Sequence, residues 1–300
     1  MTADLIPTDV RARLKALRLQ ARRISGAQGI GQHQSRSRGA GLEFAQYRAY
    51  EPGDEPRQID WKLYARSDKF FVREAERDSP LIVWCLIDAT ASMAQADATR
   101  PDWTRLQAAK ALTACVIELA LKQGDRFGLI AVNDHGLVVV NAGSGTKHRD
   151  QCLLELHKLK AQGAWPDETQ CRPIWERIGA NTLVLLLSDD YDDACVSLAE
   201  RLAVARREVL NVQILTAEER DFPFQGGHRF RDAETDTELL TDAAASRASY
   251  LEKFSAAKKI LNARFAAGGI NHVEYVLDQP LDTPLRKFFL PRNTRFQESV

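Results

Sequence analysis

The chain has 300 residues, 44% of them hydrophobic and 27% charged, with 41 Lys and Arg set against 41 Asp and Glu. That is the profile of a globular chain long enough to bury a full core without staples, and it excludes disordered and fibrous classes. Zero net charge removes any whole-chain attraction to nucleic acid and leaves only local patches to consider. The first such patch is at the N-terminus. Residues 1–40 carry eight Lys or Arg and two Asp, and within 8–25 the apolar residues Val10, Leu14, Leu17, Ala21 and Ile24 recur at helical spacing. This predicts an amphipathic basic helix. A solvated basic face over a stripe packed on the core is favoured over contact with anionic lipid, nucleic acid or an acidic partner. The Gly, Ser and Gln-rich stretch that follows reads as a linker, so 1–35 forms a helix and linker.

From 36 to 80 the pattern turns short and β-like, with a Pro52-Gly53-Asp54 turn. Arg57, Asp60, Trp61 and Arg66 are expected to form a buried ion-pair and stacking cluster that joins this β elaboration to the core. Beyond it, 81–300 alternates strand and helix: LIVWCLID (81–88), a helix at 105–122 opened by Thr104 and Gln107 and closed near Gly124, RFGLIAVN (126–133), LVVVN (137–141), helices near 147–161 and 173–179, TLVLLLS (182–188), a helix near 193–206 and VLNVQILT (209–216). Short all-apolar runs suit strands buried on both faces, and the alternation argues for an α/β domain with a doubly wound, mostly parallel sheet. The loop at 134–136 is too short for a crossover, so the strand after it is expected to be antiparallel at the sheet edge. Residues 217–242 interrupt the rhythm; the Gly226-Gly227 turn suggests a β-hairpin, which could join the 36–80 elaboration. A helix at 243–267, the strand 271–277 and a helix at 281–290 complete the core.

Five widely spaced cysteines, with no C-x-x-C among them, fit neither a disulfide framework nor a zinc knuckle. The N-terminus lacks the apolar run of a signal peptide, and the most apolar segments fall far short of the ~20 residues of a membrane helix. A reduced, soluble, cytoplasmic protein is expected.

Two strand ends carry the chemistry. The first core strand runs into Asp88-Ala-Thr90-Ala-Ser92, and the fourth ends in Ser188-Asp189-Asp190. In a doubly wound sheet of order 3-2-1-4-5-6 these strands are neighbours, and ligands bind beyond their carboxyl ends. An acid with two hydroxyls, opposed by a second acid, supplies the oxygen-only ligands that a hard cation such as magnesium prefers, with manganese or calcium as alternatives. An incoming carboxylate would complete the coordination. Turn capping is the competing reading for Asp88, and capping explains Asp192 and Asp193 better than metal does.

Asp-x-Thr-x-Ser after the first strand with Ser-Asp after the fourth resembles the metal-ion-dependent adhesion site of von Willebrand factor A-type domains. That resemblance implies Asp88, Thr90, Ser92 and Asp189 as ligands, with Thr169 as the family's remaining loop Thr. GLEFAQYRAYEPGDEPRQIDWKLYARSDKFFVREAE (41–76) and LDTPLRKFFL (281–290) further resemble the domain of unknown function 58 family, MoxR-associated proteins that contain such a domain. This implies a partner, a MoxR-type AAA+ ATPase, for which the chain would act as a non-enzymatic adaptor in chaperone-like assembly or maturation of protein complexes, gripping a client's exposed carboxylate. No nucleic-acid partner is expected. A magnesium-dependent phosphohydrolase is the alternative, weakened because residues 181–200 contain no Lys or Arg to clamp a phosphate. A scaffold with a vestigial metal site is the third reading. GAQGIG and GSGTK lack the spacing of nucleotide-binding loops, and the six histidines are dispersed.

Overall fold

The computed structural model describes residues 5–21, 44–51, 54, 56, 59–75, 80–231 and 237–290. The chain divides into two compact units, residues 27–80 and residues 1–26 with 81–300. At the start of the larger unit, helix α1 spans Thr8–Leu14 and buries Val10 and Leu14. It is much shorter than the spacing predicts. Leu17 and Leu19 remain buried, but Leu19 lies outside the helix: its N–H donates to Gln123 Oε1 (2.7 Å) and its C=O accepts from Gln123 Nε2 (3.1 Å). A side-chain amide thus takes the backbone groups that another helical turn would have used. Ile24, the last residue of the predicted stripe, lies outside the described residues.

In the smaller unit, strand β1 (Phe44–Ala49) pairs antiparallel with β2 (Phe71–Ala75), and helix α2 (Trp61–Ser67) lies between them in sequence. The β-like reading of this stretch missed α2. Asp60 starts it, its Oδ1 accepting from the N–H groups of Lys62 and Leu63 at 3.0 Å each, which satisfies donors the first turn leaves unpaired. The expected buried cluster does not form among the described residues. The Asp60 carboxylate is the cap, Trp61 is 59% exposed and Arg66 is exposed, while Arg57, Pro52 and Gly53 lie outside the described residues. The rings pack on one another instead, Tyr64 stacked on Phe70 at 4.5 Å with Trp61 edge-on to both.

The larger unit is built on six strands, β3 (Ile82–Asp88), β4 (Arg126–Asn133), β5 (Gly136–Gly143), β6 (Leu183–Ser188), β7 (Glu208–Leu215) and β10 (Asn271–Val276). Their order is β10-β7-β6-β3-β4-β5, parallel throughout except for β5, which pairs antiparallel with β4 at the edge. Counted within this sheet the order is 3-2-1-4-5-6, as the alternation predicts. Every residue of β6 and β7 is buried, because helices cover both faces. On one face α1, α3 (Arg105–Gln123), α4 (Thr146–Lys158) and α9 (Thr283–Phe289) pack against Val83, Cys85 and Ile87; on the other, α5 (Glu168–Arg177), α6 (Asp193–Val204) and α8 (Ala243–Gly268) pack against Trp84 and Leu86. All five cysteines are free and buried.

Between β7 and α8 the chain forms a short helix α7 (Ala217–Asp221) and a hairpin of β8 (Gly227–Arg231) and β9 (Glu238–Asp242). The hairpin was predicted, but its turn was not: Gly226-Gly227 leads into β8, and 232–236 lies outside the described residues. β8 and β9 form a two-stranded sheet of their own, as do β1 and β2. Among the described residues no helix is long and apolar enough to cross a membrane.

Candidate functional site

β3 and β6 pair in register through Ile87 and Leu187, so the residues that follow, Asp88 and Ser188, emerge together at the carboxyl edge of the sheet. Ser188 Oγ donates to Asp88 Oδ2 at 2.7 Å. The other oxygen, Oδ1, accepts from the N–H of Thr90 (2.9 Å) and from its Oγ1 (2.7 Å), and Thr90 Oγ1 lies 3.1 Å from Ser92 Oγ. An Asp that turns back on the second residue after it is a loop habit of this side chain. The loop is then pinned from outside. Ala89 N–H donates to Val132 C=O, Ala91 N–H to Gly163 C=O, and Gln162 N–H to Ala89 C=O. Gly163 is required there: its φ is +65°, and a Cβ would stand 1.8 Å from Asp134 Cγ. Buried Lys110 on α3 secures the same stretch through Leu159 C=O at 2.6 Å.

Asp88 is only 2% exposed. Burial, aided by the nearby charge of Asp189, raises its carboxyl from 3.8 to about 7, against the opposing hydrogen bonds of Ser188 and Thr90. No cation touches it among the described residues. Asp189 is satisfied differently. Its Oδ2 accepts from Arg105 Nη1 at 2.6 Å and its Oδ1 from Tyr191 N–H at 3.2 Å. Arg105, the first residue of α3, is wholly buried; Nη1 also donates to Ser92 C=O, and Nη2 donates to Glu219 Oε1 on α7. Glu219 belongs to a capping box with Thr216 and also receives the Tyr191 hydroxyl at 2.8 Å. Burial alone would raise its carboxyl, but Arg105 outweighs burial and holds it below the ordinary glutamate value. Asp190 takes a left-handed φ of 60° and accepts from Asn211 Nδ2 at 2.6 Å, while complete burial drives its carboxyl well up.

The structure therefore brings Asp88, Thr90 and Ser92 into one hydrogen-bonded group, with Asp189 joined to it through Arg105 and the Ser92 carbonyl. Thr169 is not joined to it by any hydrogen bond. α5 begins at Glu168, capped by Asp167, so Pro173 lies inside the helix rather than at its start, and Thr169 is an exposed second residue whose hydroxyl donates to Asp167. The expected loop position of Thr169 is corrected accordingly. Asp192 is the cap of α6, as expected, accepting from Ala194 N–H at 2.7 Å. Among the described residues no group of three or more His, Cys, Asp or Glu side chains is placed to hold a metal. A cation here would rest on one carboxylate and two hydroxyls. That oxygen-only donor set fits a hard cation, whereas both Asp189 oxygens already accept hydrogen bonds, Oδ2 from a guanidinium.

Sequence reasoning missed Arg105 and Glu219. A signal existed: a cation at the first position of a helix opposes the helix dipole and calls for a compensating anion, here supplied 84 and 114 residues away.

A doubly wound sheet with one antiparallel edge, and an acid–hydroxyl loop at the carboxyl end of its first strand, defines a von Willebrand A-type fold. The chain belongs to the family described as protein of unknown function DUF58, which matches residues 46–260 and so takes in most of the smaller unit's described residues and five of the six strands of the central sheet, β10 lying beyond it. Among its relatives, the uncharacterized protein Rv1480 of Mycobacterium tuberculosis strain H37Rv is 25% identical over 242 residues, 78% of this chain and 74% of that one. The uncharacterized protein Mb1516 of Mycobacterium bovis matches to the same extent. Similar solved structures include the conserved hypothetical protein BatB from Bacteroides thetaiotaomicron (TM-score 0.41, 13% identity, 69% of this chain and 94% of that one). The SpRpn10 VWA domain is another (TM-score 0.40, 14% identity, 70% and 95%).

Proposed function

We propose that this chain is a cytoplasmic, non-enzymatic protein-interaction module that docks a partner's carboxylate at the crevice between the β3 and β6 loops. It would act as adaptor of a MoxR-type AAA+ ATPase. The observation that supports it most is the grouping of Asp88, Thr90 and Ser92. Their oxygens would hold magnesium, and the bound ion would supply an electrophilic position for an incoming carboxylate. Thr169 is left out of this set because its hydroxyl is committed to Asp167. The phosphohydrolase alternative draws no support from Arg105: both of its amino groups are engaged and it is inaccessible, so it offers no clamp to a phosphate.

The test is capture of a MoxR-type ATPase or its client on the immobilised full chain, with magnesium or with chelator. Capture should require magnesium and vanish in Asp88→Ala; equal capture in chelator and in that variant overturns the metal mechanism. One observation favours the metal-free scaffold as a second reading, namely that Arg105 already neutralises Asp189. Calorimetry separates the two, since a scaffold takes up no magnesium at millimolar concentration.

A further inference from the structure

We infer that Arg105 and the cation are alternative partners of Asp189, so that filling the site is coupled, through Glu219, to the packing of the β8–β9 hairpin. The inference rests on the metal reading above and adds its regulation. Arg105 is 0% exposed and bridges three loops at once: Ser92 C=O, Asp189 Oδ2 and the Glu219 carboxylate. Its Nε is buried without an acceptor among the described residues, so the guanidinium holds its position by its two amino ends alone. One guanidinium serves two carboxylates here, so each depends on the same side chain. A divalent ion drawing on Asp189 Oδ2 would compete with Arg105 Nη1 for that oxygen and leave Glu219 as the carboxylate that holds Arg105.

The path onward from Glu219 is contiguous. α7 has five residues, too few to be stable by itself, so it follows its anchors. On one side these are Arg105 and the Tyr191 hydroxyl; on the other, the Tyr250 hydroxyl donates to Glu219 C=O at 3.1 Å. Phe222 closes α7 in a left-handed conformation, φ 45°, and its ring stacks on Tyr250 at 4.4 Å and on Phe230 of β8 at 5.6 Å. Arg247 of α8 adds hydrogen bonds to Phe222 C=O and Asp221 C=O. A displaced Glu219 therefore moves the packing under the hairpin, which presents Leu239 and Leu240 to solvent at 63% and 73% exposure.

The experiment is magnesium titration by calorimetry of the full chain and of Arg105→Gln, with amide hydrogen exchange of the parent protein in magnesium and in chelator. Coupling predicts that Arg105→Gln binds magnesium about tenfold tighter. It also predicts that magnesium speeds exchange in 217–221, 227–231 and 238–242 but not in 183–188. Removing a positive charge would by itself favour a cation, so the exchange result carries the distinction. Tyr191→Phe is a neutral change at a half-exposed ring and covers the case in which Arg105→Gln fails to fold. By weakening the Arg105–Glu219 arrangement it should tighten magnesium about threefold. Unchanged exchange together with unchanged affinity in Tyr191→Phe overturns the inference and leaves the metal reading intact. Absence of magnesium binding in every form overturns both.

Discussion

Asp88 and Asp189 close neighbouring strands of one sheet and are equally buried, at 2% exposure each, yet they are satisfied in opposite ways. The loop after β3 and the end of β6 surround the Asp88 carboxylate with three hydroxyl and amide donors and no positive charge. The loop after β6 meets a guanidinium that reaches in from α3. Hydroxyls orient a carboxylate without neutralising it, so Asp88 retains a high affinity for a proton. A guanidinium neutralises and fixes its partner, so Asp189 joins loops together.

Four changes would break or sharpen this contrast. The largest effect belongs to Arg105→Met, which strands the buried Asp189 and the partly buried Glu219; unfolding free energy measured in urea should fall by about 3–5 kcal/mol. Asp88→Asn should act through pH. The folded carboxyl titrates near 7 against 3.8 for the ordinary group, so the folded state holds its proton longer than the unfolded one. The Asp88 contribution is then fully present below about pH 4 and is lost as pH rises through 7. In chelator, Asp88→Asn should gain thermal stability relative to the parent across that window, by on the order of a few kcal/mol. Melts at pH 5 and pH 8 that differ equally in the two proteins would remove the contrast. Gly163→Ala drives a methyl group onto Asp134 and should cost about 1–3 kcal/mol, with faster hydrogen exchange at Ala91, whose acceptor is Gly163 C=O. Thr169→Val is the smallest, with stability within about 0.5 kcal/mol of the parent and no change in magnesium affinity by calorimetry.

The parts of this architecture legible in the sequence are those written in local pattern. β3 and β6 announce themselves as apolar runs because a parallel strand under two helical layers has no solvent face, and the two-residue loop before β5 fixes the antiparallel edge. Asp88, Thr90 and Ser92 were readable for the same reason, since their contacts lie within four residues of one another. What escaped was non-local. Gln123 ends α1 early by binding Leu19 from 104 residues away, and Arg105 finds its anions 84 and 114 residues further along the chain. α2 was hidden because Asp60 caps it inside a stretch whose flanks do form strands. At α5 a local rule misled: the preference of Pro173 for a helix start yielded to the Asp167 cap six residues earlier.

The five buried thiols give this molecule an internal clock. Burial raises each of them above an ordinary cysteine, Cys171 to about 11 and Cys152 to about 12, so at neutral pH an alkylating reagent finds almost no thiolate and no path of entry while the fold is intact. Each modification therefore timestamps an opening event. Cys195 sits behind the β6 loop, where its thiol feels Asp88, Asp190 and Ser188, while Cys115 lies on α3 in the opposite layer. The ratio of their labelling rates distinguishes a crevice that breathes by itself from a domain that unfolds as a whole.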